Sequence, residues 1–185
     1  MKKRYIVTAV MAAATATLIF AACQQNEYGT IKRAFGYIKD AVRAEKLIEV
    51  TSDGMLLSSV QEIYTESGTG YKLTTTTVTL NPIGDPEGMY DRTVVGPEEC
   101  LAISVGKFPE ESMLENIVYN GEWEVLSMTA ILSSEFLVSL GFSVEDCIGD
   151  ATIAASLSEG RFEDMEISYV SSNGNDVSIS LVFEY

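Results

Sequence analysis

The groups available for chemistry in this chain are carboxylates, tyrosines, lysines and three cysteines; there is no histidine. Without imidazole there is no Ser-His-Asp or Cys-His nucleophile system, and the usual zinc ligand sets are gone as well. The carboxylate pairs Glu98/Glu99, Glu110/Glu111 and Glu145/Asp146 are sequence neighbours. Adjacent side chains diverge on a strand or helix, so these pairs do not face each other across a substrate as glycosidase acids do. Asn81, Asp85, Glu87 and Asp91 offer oxygen ligands, but their spacing does not fit an EF-hand loop. Gly-rich phosphate loops, C-x-x-C and H-E-x-x-H are all missing from the sequence. The expected role is therefore binding, with no enzymatic activity, no cofactor and no resident metal.

Any binding group must be positioned by the body of the chain. Tyr28, Ile31, Phe35, Ile38 and Val42 recur at three and four, which predicts an amphipathic helix over 28–47. On that helix Lys32, Lys39, Arg43 and Lys46 fall within an arc of about 60° beside the apolar stripe. After Asp53-Gly54 the texture becomes β. Met55–Glu66 and Tyr71–Leu80 read as a hairpin around Ser67-Gly68-Thr69-Gly70, with four β-branched residues in a row at 74–77. The Pro/Gly-rich stretch 81–99 reads as a long loop, and such loops are often functional. Further on, 100–105 reads as a short strand, 109–116 as a helical turn, 122–132 as extended, and 133–140 and 143–148 as short helices. The last third is the clearest signal. Residues 151–158, 162–170 and 176–185 alternate apolar and polar around Glu159-Gly160 and Asn173-Gly174, predicting an antiparallel meander with one buried face. Trp123 and the other scattered aromatics are expected in the core and at its rim.

The N-terminus carries the most specific message. Met1-Lys2-Lys3-Arg4 precedes an apolar run from about Tyr5 to Phe20, then Ala21-Ala22, which are the parts of a secretory signal. The apolar run is shorter than the roughly 20 residues that span a bilayer. Cys23 follows the small residues at once, so Phe20-Ala21-Ala22-Cys23 resembles the lipobox of bacterial lipoproteins, with Phe20 where that family most often has Leu. The resemblance implies removal of 1–22, acylation of Cys23, a lipidated tether over 23–27 and a single envelope domain over 28–185. It places that domain on the extracytoplasmic side of a membrane.

Removal of the leader leaves 163 of the 185 residues, with nine basic side chains against 27 acidic ones. From Ile48 onward 24 acids face only Lys72, Arg92, Lys107 and Arg161. So acidic a body is not a nucleic-acid binder, because that affinity comes largely from neutralised phosphates. Within 28–47 the balance is reversed, with five basic residues and two acidic ones. Lys32, Lys39, Arg43 and Lys46 are thus either a solvated flank or a membrane-facing one, each cation near an anionic surface adding about 1 kcal/mol. Cys100 and Cys147 are either two thiols or a disulfide, whose loop would be worth roughly 4 kcal/mol in the chain-entropy model.

The layout of lipobox, amphipathic helix and antiparallel hairpins is similar to the Lol-type and LppX-type lipoprotein carriers, which implies a curved half-barrel over an apolar cavity. In that case Ile63, Leu73, Ile167 and Leu181 are candidate lining residues. Cystatin-like and NTF2-like arrangements, also a helix on a curved antiparallel sheet, fit the same α+β pattern. The expected function is a lipid-anchored binding protein for a hydrophobic ligand or an envelope component. The alternative is a structural or inhibitory protein-interaction module with a filled core.

Overall fold

The computed structural model describes residues 27–81, 89–105, 110–130 and 147–185. The predicted helix over 133–140, the tip of the 81–99 segment and Cys23 lie outside the described residues, as does the predicted helix over 143–148 except for Cys147 and Ile148, which open a strand instead.

One helix and one large sheet make up the described chain. Helix α1 covers 27–36 and is followed by a 3-10 turn at Ile38–Asp40. Nine strands follow: β1 (Arg43–Ser52), β2 (Met55–Ser67), β3 (Gly70–Leu80), β4 (Tyr90–Cys100), β5 (Leu114–Asn120), β6 (Val125–Ala130), β7 (Cys147–Ser158), β8 (Arg161–Ser171) and β9 (Asp176–Glu184). They form a single open, curved antiparallel sheet in the order β4-β3-β2-β1-β9-β8-β7-β6-β5. The first and last strands are therefore neighbours at its centre. Two-residue turns at Asp53-Gly54 and Glu159-Gly160 have both residues at positive φ (51° and 77°, 52° and 73°). That is the geometry whose twist matches the flanking strands.

Strand alternation explains the core. Met165, Ile167 and Tyr169 of β8 oppose Leu181, Ile179 and Val177 of β9. These in turn oppose Lys46, Ile48 and Val50 of β1. All point to one face, as the period of two requires. Ala151, Ile153, Ala155 and Leu157 of β7 and Leu126 and Met128 of β6 extend that face, and Ile31, Ala34 and Ile38 from the helical segment belong to the same buried cluster. The other face carries Asp164, Glu166 and Ser168, which are exposed. The predicted meander over the last third is present.

Several expectations are corrected. The helix does not run to residue 47; it gives way at Gly36, Ala41 is already extended (ψ 134°), and 43–52 is a central strand. Helical periodicity at Ile38 and Val42 lost to a tertiary gain, because β1 forms hydrogen-bonded ladders on both sides. Residues 90–100 are not loop but the edge strand β4. Pro97 is tolerated there because an edge strand need not donate on its outer side. At Gly96 (φ 110°) the register against β3 slips by a residue, and a Cβ would stand 2.5 Å from the Leu73 carbonyl oxygen. The predicted strand at 100–105 is only its first residue, and 101–105 is irregular. The turn near 109–116 is a 3-10 turn at Glu111–Met113 leading directly into β5.

Candidate functional site

The site grows from one unexpected residue. Alternation along β1 puts Lys46 on the inner face between Ala44 and Ile48, opposite Leu181 on one side and Glu62 on the other. It is 3% exposed. A buried ammonium needs a partner and further hydrogen bonds. Its Nζ lies 2.7 Å from Glu62 Oε2 and donates to the Ser104 carbonyl at 3.4 Å. Two residues along β2, on the same face, Tyr64 donates its hydroxyl to the same Glu62 Oε2 at 2.6 Å. The Ser104 backbone amide lies beside the Tyr64 hydroxyl. Burial drives the Tyr64 phenol far above its ordinary range, the Glu62 hydrogen bond and charge push the same way, and the Ser104 contact opposes them in part. Tyr64 is thus a neutral donor at any physiological pH. Lys46, Glu62 and Tyr64 thus form one linked cluster against Ser104.

Ser104 lies in the strap 101–105 that follows β4. Leu101 is 88% exposed, while Val105 is buried and Ile103 packs against the core. Between the strap and the end of α1 is a cleft of about 330 Å³ whose walls include Phe35, Ile38, Tyr71, Leu101, Ile103 and Val105. Tyr71 spans its floor, donating to the carbonyls of Ala41 (2.9 Å) and Lys39 (3.1 Å), and burial raises its phenol's pKa. A depression of about 430 Å³ beside Glu49, Thr152 and Ser168 and one of about 640 Å³ beside the β2–β3 turn are open and more polar. The cleft has the most apolar walls of the three, which makes it the candidate ligand site.

The basic arc expected at the N-terminus does not form. Lys32 stands on α1, 5.6 Å over the Tyr28 ring, and Lys39 is exposed in the 3-10 turn at the cleft. Arg43 is tied to Glu184 (2.6 Å) and Glu45 (3.4 Å), and Lys46 is buried. A strand replaces the last part of the predicted helix, so these four do not share a face. Cys100 is a free thiol. It ends the edge strand β4 opposite Tyr71, whereas Cys147 begins β7 opposite Ser171, six strand positions away in the sheet. The structure does not bring them together. Of the four candidate lining residues, Leu73, Ile167 and Leu181 share the inner face. Ile63 pairs with Glu45 and Thr74 on the opposite one. Trp123 is not core but 72% exposed, in a turn capped by the Asn120 side chain. Asn81 donates to Asp91 at 3.1 Å. Among the described residues no group of three or more acids or cysteines is gathered to hold a metal. No described helix is long and apolar enough to cross a membrane.

Glu62, Tyr64 and Ser104 were not singled out from the sequence. The available signal was the Lys46 interruption of an otherwise apolar alternation, which requires an acid at the facing position of the next strand.

No family model matches the chain, and no curated protein matches it. Among solved structures it is similar to a dehydratase domain from the CurJ module of the curacin polyketide synthase, at 10% identity over 75% of this chain and 74% of that one. The TM-score is 0.19, and a likeness that low bears on neither fold nor chemistry.

Proposed function

We propose that the chain is a lipid-anchored extracytoplasmic binding protein, its helix lying on a half-barrel sheet, that takes an apolar tail from a lipid or another envelope component. The observation that carries this reading is the cleft of about 330 Å³ beside α1, walled by side chains continuous with the core. That volume is at the low end of ligand pockets, which suits a single chain rather than a bulky ligand. The cleft sits at the far end of a helix of ten residues (27–36), a length of about 15 Å. An acylated Cys23 a few residues before that helix keeps the cleft within reach of the bilayer surface. A second contact with the membrane or its lipids also has a purpose, because a single acyl chain anchors only marginally.

Native mass spectrometry of the protein purified from its own envelope tests this. The expected result is a lipid-sized adduct that vanishes on denaturation. A clean apo mass overturns the ligand reading and favours a protein-interaction module. That second reading has its own observation: Trp123 (72% exposed), Val118 (62%) and Val125 (47%) cluster on the β5–β6 hairpin at a free sheet edge. The anchor is tested separately by Cys23→Ala, which is expected to move the protein into the soluble secreted fraction. Fractionation with the membrane as before removes the lipidation from the proposal.

A further inference from the structure

The strap 101–105 is attached in an unusual way. Among the described residues no backbone–backbone hydrogen bond ties it to the sheet. Its Ser104 C=O accepts instead from the Lys46 ammonium, with Tyr64 beside the same residue, and Glu62 joins the two side chains on a single carboxylate oxygen. Backbone polar groups near a core must be satisfied somewhere. Here a side-chain cluster does what a strand ladder does elsewhere. The cluster is not needed for sheet stability, since a buried ion pair is seldom better than well-packed apolar residues of the same volume. Its particular consequence is that the polar backbone of a short surface segment is held at one residue. Segments with few backbone hydrogen bonds and exposed side chains open at low free energy, and Leu101, Ala102 and Ser104 are exposed.

We infer that Lys46, Glu62 and Tyr64 form a clasp that closes the strap over the apolar cleft, and that release of Ser104 gates entry of a single-chain amphiphile. The inference rests on the binding function proposed above for its ligand, but the clasp itself is independent of it. Ile103 and Val105 are the wall that moves when Ser104 is released, and Leu101 at the mouth is the first apolar surface an incoming chain meets.

Amide hydrogen exchange on the full chain, read at Ser104, is the test. In the double variant Lys46→Met/Glu62→Leu the apolar volume is kept, no charge is orphaned and Tyr64 remains. Loss of a charged hydrogen bond to the strap is expected to speed Ser104 exchange by about tenfold or more, with the β8 and β9 amides unchanged. Association of a dansyl-labelled fatty acid is expected to quicken in the same variant. Unchanged Ser104 exchange overturns the clasp. Faster exchange with no fatty-acid binding by either protein supports the clasp and overturns the binding function. If the double variant does not fold, Lys46→Met alone removes the donor to the Ser104 carbonyl while Glu62 stays bonded to Tyr64, and it is expected to speed Ser104 exchange several-fold.

Discussion

Lys46 and Glu62 face one another across the β1–β2 ladder with 2.7 Å between Nζ and Oε2, on a face they share with Ala44, Ile48, Val50, Val60 and Tyr64. The pair is more than a surface bridge, because Lys46 is buried and its carboxylate partner is also engaged by Tyr64. Arg43, only three residues earlier, makes its ion pairs at a half-exposed position, where such contacts contribute little.

Removing one member of the buried pair is costly. Glu62→Leu strands the ammonium and is expected to lower stability by about 3–5 kcal/mol, whereas Lys46→Met/Glu62→Leu is expected to cost under about 1 kcal/mol. Urea denaturation of Glu62→Leu, Lys46→Met and the double variant measures this. Additive losses mean that the two side chains do not depend on each other.

The tyrosines make an alkaline prediction. Tyr64 is raised mainly by burial, with Glu62 adding to it. Tyr185 is pushed up to about 12, again mainly by burial, against the pull of the Arg161 guanidinium 5.0 Å from its ring. In the unfolded chain both ionise near the ordinary value of about 10. Folded pKa values raised above the unfolded ones contribute stability that is whole below pH 10 and falls as pH rises beyond it. Ultraviolet titration is expected to show two phenols resisting ionisation past pH 11, with the melting temperature dropping from pH 10 upward. Tyr64→Phe is expected to flatten part of that drop; an unchanged slope rules Tyr64 out as its source.

Gly96 is fixed by its backbone. With φ at 110° and the Leu73 carbonyl oxygen 2.5 Å from any Cβ, Gly96→Ala is expected to cost about 1–3 kcal/mol. Loss of amide protection should be confined to β3 and β4. A variant as stable as the parent removes the bulge as a constraint on this edge.

Cys100 is free and partly exposed. In the folded protein, without reductant, it is expected to take up one equivalent of iodoacetamide per chain, located by peptide mapping. Failure to label Cys100 until a reductant is added means that it is bridged in solution.

The C-terminal meander was legible because β8 and β9 alternate cleanly, Asp164-Met165-Glu166-Ile167-Ser168-Tyr169 against Val177 to Phe183, and Asn173-Gly174 marks the turn between them. The N-terminal half was not, for two physical reasons. Arg43–Val50 holds a lysine on its inner face, so neither period was clean. Its strand identity comes from β2 and β9, one of them more than 120 residues away. The Pro and Gly that made 90–100 resemble a loop are tolerated because this is an edge strand with a bulge. Asp53-Gly54 is a hairpin cue in the sequence, but the helical spacing that runs through Val42 masks the strand before it. For the site, Tyr71, Ile103 and the 101–105 strap meet only after β4 has returned beside β3, and no local pattern encodes that return.

The adjacency of β1 and β9 has a consequence for how the protein can be taken apart. Every other ladder is local, so the chain divides between Val105 and Glu110 into a piece carrying β1–β4 and a piece carrying β5–β9. A single nine-rung seam from Arg43–Glu184 to Thr51–Asp176 rejoins the two pieces in the sheet. That is the architecture of a split reporter: two co-expressed fragments, each with one apolar strand unmatched, whose reassociation would read out folding in the compartment where they meet.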